Sequence, residues 1–221
     1  DRHAAALAAI HPQVMMRPPE QAFLKARVAS LPADSHILEF GMGGSTLLLA
    51  EQLLHTQRLF SVEHNIDWHA KINALVHQPN VQLHLRPNVL TYVINICEMQ
   101  GLPPNTDTTK LRAKVDVSKW LPEECTAGYS QYLDMSYGND WSKTRLVLVD
   151  GVARGACLAM LRHFLHAGTT VLLHDYHYIP GESVDDNDCS RHDWYQFGVR
   201  LYTIEQSVAS FLVLTVPEGR P

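Results

Sequence analysis

No CxxC pair occurs in this sequence, and its four cysteines, Cys97, Cys125, Cys157 and Cys189, stand far apart along 221 residues. That removes the usual zinc and dithiol signatures, and the four read as free thiols of a reducing compartment. Long apolar runs are absent too: none approaches the roughly 20 residues needed to cross a bilayer, so no membrane partner is expected. The opening residues, DRHAAALAAIHPQ, lack the cleavage region of a secretion signal, which makes the cytoplasm the expected location. Positive charge is in short supply. With 18 Lys and Arg against 23 Asp and Glu, the formal net charge is -5 and the pI is near 6.2. A nucleic-acid partner is not expected on that balance, because such partners are met by a basic face that releases counterions. Internal repeats and low-complexity tracts are missing as well.

What is present is ordinary globular material, 46% hydrophobic and 19% charged, enough for one sizeable core and one α/β domain over residues 1–221. Short apolar runs rich in β-branched residues alternate with longer amphipathic segments, the pattern of βα units around a parallel sheet. A lead-in helix is expected over Met16 to Leu31, opened by Pro18 and Pro19 and able to lie over a pocket. The first strand is expected at His36 to Phe40, a helix at Ser45 to Leu54, a second strand in RLFSVEH ending at Glu63 and His64, and a helix at Asp67 to Val76. VQLHLR, from Val81, reads as the third strand.

Between Pro87 and Lys143 the pattern loosens, with GLPPNTDTT of turn-forming composition and SKWLPEECTAGYSQY mixing aromatics with Pro and Gly. A stretch this long is read as an insertion, either a functional lid or a plain loop. Regularity returns in RLVLVDG (Arg145 to Gly151), a helix from Ala153 to His166 terminated by Gly168, and the strand TTVLLHDY (Thr169 to Tyr176). LYTIEQSV and SFLVLTV close the chain as a strand pair.

In an open α/β sheet, ligands bind at the carboxyl ends of the strands. The informative acids all fall there: Glu39 with the turn Gly41, Gly43, Gly44 after the first strand, Glu63 after the second, Asp150 after the fourth, Asp175 after the fifth. Glycines at the turn let a ligand approach the backbone, and Ser45 starts the next helix. Glu63, 22 positions after Gly41, sits where a carboxylate could accept hydrogen bonds from both ribose hydroxyls. Dinucleotide-binding proteins share that acid. However, the third glycine of GxGxxG would fall at Thr46, and Glu39 beside the turn suits a cationic group better than a pyrophosphate.

ILEFGMGGST and SVEHN resemble the glycine-rich first motif and acidic second motif of the class I S-adenosylmethionine-dependent methyltransferases. The likeness extends from PPEQAFL through VLVDG and LLHDY. It implies a Rossmann-like three-layer α/β sandwich with a mostly parallel seven-stranded sheet and an antiparallel terminal strand, and S-adenosylmethionine as cofactor. It further implies that Glu39, Gly41, Gly43 and Ser45 contact the methionine part, Glu63 the ribose, and His64 and Asn65 the adenosine, with Arg86 to Asn88 bordering the adenine. Gly44 and Asp150 complete the expected cofactor set.

For the chemistry, Asp150 and Asp175 should converge near the transferred methyl group, either as general base or together as holders of a divalent cation. Metal-dependent O-methyltransferases supply a further Asp or Asn beside the fifth-strand acid, whereas here the neighbours are His174 and Tyr176. That departure counts against magnesium, and the metal set is left open. His174 or His177 could be the base, although the chain has 13 histidines with ordinary roles to fill. Arg154 could bind an anionic part of the acceptor or cap local backbone. Tyr129 and Tyr132 could line the acceptor pocket or pack the insertion. The expectation is methyl transfer to a hydroxyl of a small molecule or sugar. A non-catalytic cofactor-binding module and a nicotinamide-dependent oxidoreductase are the competing readings, and oligomeric state is not readable.

Overall fold

The protein is represented by a computed structural model that describes residues 15–76, 88–93, 139–151, 154–176 and 198–219. Seven strands form one sheet: β1 (His36–Phe40), β2 (Arg58–Glu63), β3 (Val89–Val93), β4 (Thr144–Val149), β5 (Thr170–Leu173), β6 (Thr203–Val208) and β7 (Phe211–Thr215). Their spatial order is β3-β2-β1-β4-β5-β7-β6. The pairs from β3 through β5 are parallel; β7 runs antiparallel to both β5 and β6, so it is the reversed strand. The order reverses direction beside β1, which puts the chain's switch point between β1 and β4.

Four helices cover the sheet among the described residues: α1 (Pro18–Ala29), α2 (Gly44–Gln52), α3 (Ile66–Val76) and α4 (Arg154–Phe164). Alternation along the strands divides the core in two. Leu38, Phe40, Phe60, Val62, Val147 and Val149 face Leu158 and Leu161 of α4. Ile37, Leu59, Leu146, Leu148 and Leu172 face Leu24 and Val28 of α1, Leu49 of α2 and Ile72 of α3. Burial on both faces explains the continuous apolar run of β4 over residues 146–149. The result is the three-layer sandwich expected from the sequence.

α1 starts as its prolines predict, with Pro18 and Pro19 in the first two positions, where no backbone donor is needed. Gly168 does not terminate α4 directly. It follows four residues after Phe164, at φ +82, in the turn that leads into β5, and its N–H donates to Val216 O at 2.9 Å.

One strand differs from expectation. β3 is Val89–Val93, paired from Leu59↔Val89 to Glu63↔Val93, and so lies inside the stretch read as an insertion. VQLHLR lies outside the described residues. VLTYV is far richer in β-branched and aromatic residues than VQLHLR, so local composition already favours it, and pairing with β2 places it in the sheet. The closing strand pair is present as β6 and β7. No described helix is long and apolar enough to cross a membrane.

Candidate active site

At the carboxyl ends of β1, β2 and β4 the parallel ladder continues one step into the loops. Gly41 N–H donates to Val62 O at 2.8 Å, and Asp150 N–H to Phe40 O at 2.9 Å. This draws the glycine turn and the Asp150–Gly151 segment together. Gly41 holds φ +96, and a Cβ on it would lie 2.5 Å from Gly151 Cα. Only glycine meets both conditions. Beyond the turn, Gly43 N–H donates to Thr46 Oγ1 at 2.9 Å and fixes the entry to α2.

A cavity of about 660 Å³ opens over this turn, within the range of small-molecule sites. Gly41, Met42, Gly43, Gly44 and Ser45 form one wall; Glu63, His64, Asn65, Trp68 and Lys71 form another; Asp150 and Gly151 form the floor; Met15 and Met16 form the rim. Glu63 is buried, and its carboxylate gathers the backbone of both turns. Oε2 accepts from Met42 N–H at 3.0 Å, and Oε1 from the N–H groups of His64 at 2.8 Å and Asn65 at 2.9 Å. Nδ1 of His64 lies 2.7 Å from Oε1. Two oxygens offer about four acceptor positions, so Oε2 retains one.

Glu39 is placed differently from its expected role. It is fully buried, is not part of the cavity wall, and accepts hydrogen bonds from Ser45 Oγ at 2.5 Å, Thr46 Oγ1 at 2.7 Å and Ser61 Oγ. It ties the glycine turn to β2 from behind instead of meeting a ligand's cation. Burial raises its carboxyl to about 7, against the pull of the three hydroxyls. The first strand's alternation sends residue 39 to the α2 side of the sheet, which sequence position beside the turn does not reveal.

Asp150, like Glu63, lines the cavity. Its Oδ1 lies 2.7 Å from Nδ1 of His174 and 3.3 Å from Arg154 Nη2. No hydrogen bond to Oδ2 occurs among the described residues. His174 is buried and is not among the described residues lining the cavity; its imidazole is placed as a partner of Asp150. Among the described residues, Arg154 is held by backbone oxygens and carboxylates at the ends of β4 and β5. Its guanidinium donates to Gly151 O at 2.9 Å, Asp150 O at 3.1 Å and His174 O, and lies 3.4 Å from Asp175 Oδ2. It closes the carbonyl ends of β4 and β5. Asp175 is exposed, at φ +55, and is not among the described residues lining the cavity.

Asp150, His174 and Asp175 bring possible ligand atoms within 4.8 Å of one another. The Arg154 guanidinium already rests on both carboxylates, and the cluster therefore does not fit a divalent cation. Asn88, expected with Arg86 near the adenine, stands instead at the start of β3, at the opposite end of the sheet, where its Nδ2 donates to His55 O. Tyr129, Tyr132, His177 and Arg86 lie outside the described residues.

Sequence reasoning missed Met15, Met16, Met42, Trp68, Lys71 and Gly151 in the cavity. Trp68 was within reach of a signal: it follows SVEHN by one helical turn, and Asn65 Oδ1 caps that turn by accepting Trp68 N–H at 3.0 Å. Its indole N–H donates to Met42 O at 2.5 Å, joining α3 to the glycine turn, and Lys71 Nζ lies 4.9 Å from its ring centre.

No family model matches the chain, and no curated protein matches it in sequence. Solved structures do match in shape. A methyltransferase-like protein from Silicibacter pomeroyi is 20% identical, with a TM-score of 0.62 over 96% of this chain and 92% of that one. An O-methyltransferase from Bacillus cereus in complex with SAH is 16% identical, with a TM-score of 0.59 over 96% and 87%. The O-methyltransferase TomG from Streptomyces achromogenes, involved in tomaymycin synthesis and solved with SAM, is 15% identical, with a TM-score of 0.54 over 94% and 83%. The chain thus has the fold of the class I S-adenosylmethionine-dependent methyltransferases. Identities this low establish the fold, and the function is argued from the site.

Proposed function

We propose that the chain is an S-adenosylmethionine-dependent methyltransferase acting on a hydroxyl of a small molecule or sugar. The observation that carries this reading is the Asp150 carboxylate on the floor of a cavity whose walls are the glycine turn and Glu63. The donor set fits the cofactor. The Gly43–Ser45 end of α2 offers the positive end of a helix to a carboxylate, Glu63 Oε2 offers an acceptor position to a ribose hydroxyl, and Asp150 offers a negative charge to an ammonium or sulfonium. The bound cofactor would supply an electrophilic methyl group.

The chain's own residues would then hold the acceptor oxygen in line and take its proton. Asp150 Oδ2 is the assigned proton acceptor, since Oδ1 is engaged by His174 and Arg154. The acceptor oxygen would receive the methyl group while Asp150 takes the hydroxyl proton, and the products would leave as S-adenosylhomocysteine and a methyl ether. His174 braces Asp150, so its presence where O-methyltransferases carry another residue does not require a non-catalytic module.

Calorimetric titration should detect binding of both S-adenosylmethionine and S-adenosylhomocysteine, and labelled methyl groups should pass to members of a hydroxyl-bearing acceptor panel. Asp150→Asn should lower that transfer by about 100-fold or more, the usual worth of a positioned base. Failure of the wild-type chain to bind either adenosyl compound would end this reading.

A further inference from the structure

Behind the cavity acid a row of polar groups runs inward from Asp150 through His174 to Glu20 and ends at Ser210, and Glu20 and Ser210 have no part in the steps above. Glu20 sits in the first turn of α1 with no exposed surface. Its Oε1 accepts from Ser210 N–H at 2.6 Å and Ser210 Oγ at 2.5 Å; its Oε2 accepts from Arg17 N–H at 2.6 Å and stands 3.6 Å from Nε2 of His174. That Nε2 is buried with no hydrogen-bond partner among the described residues.

We propose that Glu20 and His174 form a positioning couple, in which a carboxylate on α1 holds the imidazole and the imidazole holds Asp150 at the cavity floor, so that the seating of α1 governs the cavity acid. The proposal rests on the methyltransferase reading only for the identity of the cavity's ligand.

Burying a carboxylate in a packed helix face is costly unless it is paired. A helix that merely covered the sheet would place an apolar residue there, as α1 does at Leu24 and Val28. Each member of the row favours charge on the next. Burial alone would lower the His174 imidazole, but the hydrogen bond and charge of Asp150, with the charges of Asp175 and Glu20, raise it overall. Burial alone would raise Glu20, but the Ser210 and Arg17 donors and His174 lower it overall. Among the described residues His174 also meets the Phe211 ring, 5.1 Å away, the Asp175 carboxylate, 3.8 Å from its Nδ1, and the Arg154 guanidinium on its backbone oxygen. The same end of α1 carries the cavity rim, since Gln21 Nε2 donates to Met16 O at 2.8 Å. One helix terminus thus shapes the rim and, through two side chains, aims the floor.

The test uses the full chain, its Glu20→Gln and Asp150→Asn variants, and His174→Gln to assign the His174 signal. NMR titration should place the wild-type His174 midpoint above that of an exposed histidine, and both Glu20→Gln and Asp150→Asn should move it down. In Glu20→Gln, affinity for S-adenosylmethionine should fall about tenfold while that for adenosine, which leaves Asp150 unused, stays within about twofold. A merely structural role for Glu20 would weaken both ligands together. An unchanged His174 midpoint in Glu20→Gln, or parallel loss of both ligands, overturns the proposal. If Glu20→Gln does not fold, His174→Gln, which keeps a donor but no charge, must show the same selective loss of S-adenosylmethionine; wild-type selectivity there overturns the proposal. If the wild-type chain binds neither ligand, the methyltransferase reading fails, and the His174 midpoints alone decide the couple.

Discussion

Gly41 and Gly168 both hold left-handed backbone, at φ +96 and +82, yet they differ in what surrounds them. Nothing lies within 4 Å of a Cβ at Gly168, so Gly168→Ala should cost about 1 kcal/mol, the backbone term alone. At Gly41 the added carbon meets Gly151 at 2.5 Å, and Gly41→Ala should cost at least about 3 kcal/mol as strain and overpacking combine. Denaturant melts of the two variants check the contrast. Glu39 supplies a pH prediction. Its folded carboxyl is raised to about 7 from an ordinary 4.5, so between those values the folded state keeps a proton that the unfolded state has lost. Stability therefore falls as pH rises through that window, by on the order of 3 kcal/mol, and Glu39→Gln should remove the slope. Denaturation of both proteins at pH 5 and pH 8 measures it. The acid beside the turn was visible in the sequence, but its direction was not. A carboxylate one residue from a glycine turn can point to either face, and only the three hydroxyls of Ser45, Thr46 and Ser61 draw Glu39 inward.

Among the elements, β1, β2, β4 and the start of α1 were readable because each carries a local instruction: a buried apolar run of strand length, or prolines opening an amphipathic segment. β3 was not, although VLTYV has the composition of a strand, because it lies in the stretch read as an insertion, and only its register with β2 shows its place. α3 carries a prediction of its own. Trp68 links that helix to the glycine turn and lines the cavity, whereas Trp141 stacks on Phe164 with ring centres 5.0 Å apart, outside the cavity wall. Bound S-adenosylhomocysteine should therefore change the fluorescence of Trp68, and Trp68→Phe should remove that change and loosen the turn by about 1 kcal/mol, the worth of one hydrogen bond. A fluorescence titration of the variant that keeps the full wild-type change would show that the indole does not meet the ligand.

At the scale of the molecule, the sheet order brings β1, β2 and β4 side by side, so a ligand in the cavity touches the ends of three strands and the start of α1 at once. Such a ligand binds only the folded state. S-adenosylhomocysteine at 100 times its dissociation constant should add about 2.7 kcal/mol to stability, read as a rise in melting temperature, and Gly41→Ala should lose most of that gain. The sequence by itself determined the α/β class, the parallel strands with their strand-end acids and the glycine turn, because periodicity, apolar runs and turn chemistry are properties of neighbouring residues. Tertiary structure alone decided which acids meet the cavity. Asp150 and Glu63 line it, while Glu39, His174 and Arg154 stand behind them, because side-chain direction at a strand's end depends on partners that arrive from β2, α1 and β5, far away in the chain.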